Sequence, residues 1–228
     1  MIVAGGDVSL KSGRDTALLG GNIEGRRVAI DAGRDLAVLS PQAQGWRDGY
    51  SFGLTIGWNP ASFGIRGSKE DGSKAWSSGS SIVAEELIDI SASEDTVLNG
   101  ALLHATDGDI RIDTGTLTVT DNRDHDQYRN IGGSLGFNAG GLDTAGFSYE
   151  EKDKRGETRT TLDAAGELDV TIRDADRDGT PGTAADQRAA QEQLAAINKD
   201  AGTWQEITRD RHTRLSGELN VTNLRELG

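Results

Sequence analysis

The sequence predicts an all-β solenoid, a parallel β-helix of stacked coils, with β-hairpins between the coils and a short helical segment towards its C-terminal end. Three observations predict it. The stretch "SGRDTALLG" at 12–20 comes back as "AGRDLAVLS" at 32–40, a step of 20. Four apolar anchors, Ile2, Ala4, Val8 and Leu10, come back at a step of 80 as Ile82, Ala84, Ile88 and Ile90, and again as Leu162, Ala164, Leu168 and Val170. Around the anchors apolar and polar residues alternate, the period of a strand with one buried face.

A period near 20 is typical of solenoids, in which each repeat is one coil laid on its neighbour. Leucine-rich repeats share that length but need Leu-x-x-Leu-x-Leu followed by Asn, and no such run exists. What recurs is a short cassette: "GDVSL" at 6–10, "RRVAI" at 26–30, "DGDIRI" at 107–112, "GTLTV" at 115–119 and "GELDV" at 166–170. In this reading Val8, Ile30, Ile88, Ile90, Ile110 and Val170 point into the coil interior. Gly13 and Gly33 sit at corners, where turns often need φ > 0, and Asp15 and Asp35 hydrogen-bond the turn backbone. Two full units follow, 2–81 and 82–161, then a partial third from 162 to 173, so that residues 1–173 form the β-helical domain.

Within each unit a glycine-rich segment with alternating aromatics follows the coils, at 50–72 and at 131–153. Phe52, Leu54, Ile56 and Trp58 alternate, a turn at Asn59 and Pro60 follows, and Phe63 and Ile65 continue. In the second unit Leu135 and Phe137 lead through a Gly-rich turn to Phe147 and Tyr149. Each segment reads as a β-hairpin projecting from, or folded against, the coils. Its aromatic stripe is expected to be a packing face. Trp46, Trp58 and Trp76, with Trp204, are the candidate binding residues, because Trp stacks on sugars and fills interface pockets.

Composition narrows the function classes. The 228 residues carry a formal charge of −13, which argues against a nucleic-acid partner. No stretch approaches 18 consecutive apolar residues, so the chain is read as not membrane-spanning. The absence of cysteine removes disulfides, thiolate metal sites and cysteine nucleophiles. The opening MIVAGGDVSL lacks the basic and apolar regions of a signal peptide, and Ile2 already stands inside a repeat. The chain is therefore expected to be a piece of a longer protein whose export is directed by other sequence.

Residues 174–228 depart from the repeat. In "DADRDGTPGTAADQ" at 174–187, Asp174, Asp176 and Asp178 followed by Gly179 give the opening of a calcium loop, whose alternate carboxylates converge on one ion. Its twelfth position is Ala185, with Asp186 one place late as the fourth candidate ligand. Two readings stay open, a calcium site or an acidic solvated turn. Thr183 with Asp186 forms an approximate capping box. Ala190, Leu194, Ile197 and Ala201 share one helical face, which predicts a helix over 184–200 lying across the last coil. "RLSGELNVTNL" at 214–224 alternates again and is expected to rejoin the solenoid. Asn220, Val221 and Thr222 form a glycosylation sequon without expected meaning.

Taken together, residues 4–40 and 83–115 and the Gly/aromatic segment after each resemble the haemagglutinin repeat of bacterial filamentous haemagglutinins and contact-dependent growth inhibition exoproteins. The resemblance covers about residues 1 to 173. It implies a right-handed parallel β-helix in a secreted filament at the surface of a Gram-negative bacterium. It also implies export through an outer-membrane two-partner transporter. The implied role is non-catalytic, contacting a receptor or glycan on a target cell or presenting a distal toxin. Because parallel β-helices also host polysaccharide-degrading enzymes, a glycan-binding or polysaccharide-degrading protein is the alternative. His104, His125 and His212 are scattered, with His125 expected in a solvated loop, so no catalytic residue is nominated.

Overall fold

The computed structural model describes residues 1–58, 61–139 and 141–220. A first pass of chain lays down β1 (Ile2–Val3), β2 (Val8–Ser12) and β3 (Thr16–Leu19). A second pass, β4 (Asn22–Ala32) and β5 (Leu36–Leu39), lies parallel on the first. The chain then runs out along β6 (Gln42–Trp58) and back along β7 (Ala61–Ser77). A third pass, β8 (Ser81–Ala92) and β9 (Asp95–Asn99), resumes in parallel register on β4 and β5. The fourth comprises β10 (Leu102–Ala105), β11 (Asp109–Thr114) and β12 (Thr116–Thr120). A second excursion, β13 (Asn122–Asn138) and β14 (Gly141–Thr158), precedes the fifth pass, β15 (Thr161–Ala164) and β16 (Leu168–Ile172). Helix α1 (Ala184–Ala196), a 3-10 turn (Ala201–Thr203) and β17 (Gln205–Asn220) follow.

The chain divides into two compact units. One holds the passes and α1, residues 1–43, 77–124 and 156–206; the other holds the excursions and β17, residues 44–76, 125–155 and 207–228. In the first unit the parallel register lines up the anchors in columns. Val8, Val28, Ile88, Ile110 and Leu168 form one, and Leu10, Ile30, Ile90, Ile112 and Val170 the next. Ile2, Ile23, Ile82, Leu103 and Leu162 form a third. Except for Ile2, exposed at the end of its column, alternation turns these side chains inward, where Leu36, Val38, Leu98 and Leu117 of the second parallel sheet meet them. The steps from Val28 to Ile88 and from Ile110 to Leu168 are longer than that from Val8 to Val28 because a hairpin is inserted between stacked strands. Buried Thr96 and Thr114 satisfy each other at 2.9 Å.

Five of the six nominated interior residues, Val8, Ile30, Ile88, Ile90 and Ile110, are buried. Val170 is only half-buried, a correction with a simple cause: among the described residues β16 pairs with β11 alone and so ends the ladder, leaving the outer side of this column to α1. The corner glycines also need a different account. Gly33 takes no positive φ; its missing Cβ would stand 2.6 Å from the Gly13 carbonyl, so close stacking is what demands glycine. The positive φ falls instead at Gly20 and at its equivalent Gly100. Asp15 meets Arg34 of the next pass through two 2.8 Å bonds, and Asp35 accepts from the Asp95 N–H.

Helix α1 carries the expected capping box and stops at Ala196, before the expected residue 200. Ile197 is extended, and Asn198 bridges to Thr161 and accepts from the Leu162 N–H at 2.9 Å. Strand formation thus ends the helix. The expectation that residues 214–224 rejoin the coils is overturned as far as Asn220. Residues 205–220 pair with β14 in the antiparallel sheet, held there by Arg209–Asp153 and Arg214–Glu150 ion pairs. The Asn59–Pro60 turn, the end of that stretch and the rest of the sequon lie outside the described residues.

Candidate functional site

The hairpins are longer than their Gly/aromatic cores, and they belong to one sheet. In the order β17-β14-β13-β7-β6, strand β7 of the first hairpin pairs with β13 of the second in antiparallel register from Ser62↔Asn138 to Ala75↔His125. Side-chain contacts sort the two faces. Lys69 Nζ stands 5.7 Å over the Tyr50 ring, while Ser51 and Ser68 share a 2.7 Å hydrogen bond on the other side. Lys69 in turn opposes Ile131, Ile65 opposes Leu135, and Phe63 opposes Phe137 with ring centroids 6.2 Å apart. Ser148 lies against Gly132 on the serine side, which puts Phe147 and Tyr149 with the aromatics. Gly217 abuts the Phe147 ring, so Leu215 and Leu219 share that face as well.

Most of the large apolar side chains of this sheet thus lie on the same side. On β6 they are Trp46 at 81% exposed, Tyr50 at 80%, Phe52 at 71%, Leu54 at 57%, Ile56 at 60% and Trp58 at 87%. The stripe expected to be a packing face is therefore open. Towards the base of the strands the same face turns polar. Asp71 opposes Arg129, Gln127 donates to Asp153 at 2.6 Å, and Trp46 lines a groove with Asp71, Arg129, Glu151, Asp153 and Arg155. The Gln127 amide, then the Arg155 guanidinium, hold the Asp153 carboxyl below its ordinary range. On the opposite face Glu150 is lowered to about 2, first by the Tyr128 hydroxyl and then by His212 and Arg214.

Of the three nominated tryptophans, Trp46 and Trp58 share this stripe. Trp76 falls on the serine face, half-buried, with Lys154 Nζ 5.1 Å over its ring. Trp204 serves the first unit: its Nε1 donates to the Gly100 carbonyl at 2.9 Å and its ring lies where a Gly79 side chain would be.

The acidic loop converges in part. Asp174, Asp176 and Asp186 bring a carboxylate oxygen each to within 4.8 Å of one another, and Asp178 stays outside that group. Asp178 accepts from the Thr180 N–H at 2.7 Å, Asp174 from Gly179 and Asp176 from Asp178. Asp186, buried, accepts from the Thr183 N–H and hydroxyl and from the Asp176 N–H. These bonds, led by the Thr183 N–H, lower it to about 2. Burial and the neighbouring Asp178 and Asp186 charges push Asp176 upward. Each carboxylate is thus engaged by the loop's own donors.

The three histidines do not meet. His104 on β10 stands 3.1 Å from Asp163, His125 on β13 is 3.3 Å from Ser73, and His212 on β17 is 2.8 Å from Glu150. His125 lies half-buried within a strand rather than in the expected solvated loop. Among the described residues no helix is long and apolar enough to cross a membrane.

Sequence reasoning passed over Asp124. Buried at the start of β13, it accepts from the Ser77 N–H at 2.8 Å, the Ser77 and Thr158 hydroxyls at 2.7 Å, and Gln42 at 3.0 Å. It ties the roots of four excursion strands. Its counterpart one unit earlier is Gln44, so repeat comparison offered no signal. Ser80 and Thr160, 80 residues apart, do repeat, their hydroxyls bonding to the Leu39 and Thr120 carbonyls.

No curated protein and no solved structure matches the chain. Residues 1–53 and 43–134 match the Hemagglutinin repeat family, the first match covering the opening passes and the second the first hairpin, the third and fourth passes and the start of β13. More than half of its residues fall within these matches, and the chain belongs to the Hemagglutinin repeat family.

Proposed function

We propose that the chain is a non-catalytic adhesion segment of a secreted surface filament, touching a receptor or glycan on a target cell through the open stripe of β6. The observation that supports this most is six large apolar side chains, more than half exposed, on one face of one strand. Soluble proteins rarely leave such a contiguous apolar patch uncovered without a partner for it. The Trp46 groove adds the aromatic surface and the convergent polar groups that a sugar ring needs. The scattered histidines, each with a different partner, favour binding over catalysis.

In this reading the stacked passes form a right-handed parallel β-helix, the hand that parallel strand crossovers almost always take. The helix acts as the stalk of the filament. Export through a two-partner transporter of a Gram-negative outer membrane, and presentation of a distal toxin, belong to the same reading.

The test is binding of labelled protein to target cells by the parent, by Trp46→Ala/Trp58→Ala and by Trp76→Ala. The double variant should bind at least about tenfold more weakly, with unchanged circular dichroism, and Trp76→Ala within about twofold of the parent. A double variant that binds like the parent would remove the stripe from the contact.

A further inference from the structure

The two edges of the antiparallel sheet are built differently. The outer strand β17 places Glu206, Arg209, Asp210, Arg211, Arg214 and Glu218 along its length. Charge of that kind blunts an edge against further pairing. The other outer strand, β6, is 17 residues long, contains no proline, and has no charge from Gly49 to Gly57. It is hydrogen-bonded to β7 on one side and to no other strand among the described residues. A long, uncharged, apolar edge is a template for another strand.

We propose that β6 is a docking edge for the returning strand of another hemagglutinin-repeat hairpin, so that the sheet grows sideways by one hairpin per repeat. The joint already present defines the occupant. There the returning strand of one hairpin, β7, pairs with the outgoing strand of the next, β13, and the aromatic face runs unbroken across the seam through Phe63 on Phe137 and Ile65 beside Leu135. The second hairpin has both its edges filled, by β7 and by β17, whereas the first has one. β6 is an outgoing strand like β13, so a returning strand completes the same pattern, which a second β6 would not. A strand like β7 or β14 would continue the apolar face beside Phe52, Leu54 and Ile56. Cell contact through the stripe is not required for this pairing.

The experiment compares the 228-residue chain with a tandem chain in which a copy of residues 82–161 stands ahead of Ile2, using residue-resolved amide hydrogen exchange. Alternate amides between residues 49 and 57 should slow by about a hundredfold or more in the tandem chain, with those of β17 unchanged. Unslowed amides at 49–57 in a tandem chain whose β8 and β11 remain protected would overturn the proposal. So would slowing that grows with concentration of the 228-residue chain alone, since that reports pairing between copies of β6. Should the tandem chain not fold, a synthetic peptide of residues 141–158 is titrated into the 228-residue chain. Slowing of the same alternate amides supports the docking edge, and no change at about millimolar peptide rejects it.

Discussion

Ile90 and Phe52 both sit in strands that alternate apolar with small or polar residues, yet one is 1% exposed and the other 71%. In the parallel unit the neighbouring passes extend each aliphatic column, and a second sheet supplies Leu36, Val38 and Leu98 from across the interior. In the antiparallel unit the alternation does its local job, sorting apolar side chains to one face, and no described residue of that unit forms a second layer over it. Alternation creates a face; only a second layer buries it. Apolar content is therefore a guide to stability in the first unit and to contact in the second.

That contrast can be probed by substitution. Ile90→Asp should cost several kcal/mol, about 4 or more, because an unpaired charge would enter a closed stack. Urea denaturation followed by circular dichroism measures it, and a variant as stable as the parent would mean the strand register is wrong. Trp204→Ala should cost about 2–3 kcal/mol, somewhat less than full truncation of a buried Trp, since its indole both packs and caps the Gly100 carbonyl.

Acid gives a smaller and reversible effect. The Asp186 carboxyl is lowered to about 2 in the folded chain, against about 3.9 unfolded, so its contribution is complete above about pH 4 and fades as the pH falls towards 2. Asp176 is raised, so its protonation in the same range favours the fold and partly offsets that loss. The melting-temperature gap between the parent and Asp186→Ala should therefore narrow from pH 6 to pH 2.5, and a widening gap would contradict the assignment. Phe52→Ser, on the open stripe, should change stability by no more than about 0.5 kcal/mol. Calcium at about 5 mM should move the melting temperature by less than about 1 °C, because the loop donors already engage these carboxylates. A larger rise, lost in Asp176→Asn, would favour the calcium reading of the loop over the acidic turn.

The stacked parallel strands were legible because their information is local and repeated: the 20- and 80-residue steps put Val8, Ile88 and Leu168 in one column, where the structure also has them. The cap at Thr183 was legible because it too is local, since a capping box spans four residues, 183–186. The seam between hairpins was not. Phe63 opposes Phe137 across a sequence separation that carries no periodic signal, and the alternation of residues 214–224 fits a coil as well as an edge strand. Trp204 looked like a surface anchor because nothing in the sequence near it announces Gly79 and Gly100 as its seat. Trp76 and Trp58 look alike as composition, and strand parity alone separates their faces. Asp178, fifth in the loop pattern, turns aside because a local hydrogen bond to Thr180 competes with convergence.

Residue-resolved hydroxyl-radical footprinting tests the contrast between the two units in one sample. Trp46, Tyr50, Phe52, Leu54, Ile56 and Trp58 should be oxidised heavily while Ile23, Ile82, Ile88 and Ile90 are protected. Protection of the β6 stripe equal to that of the columns, in the isolated chain at low concentration, would contradict an open face and remove the basis for a contact role.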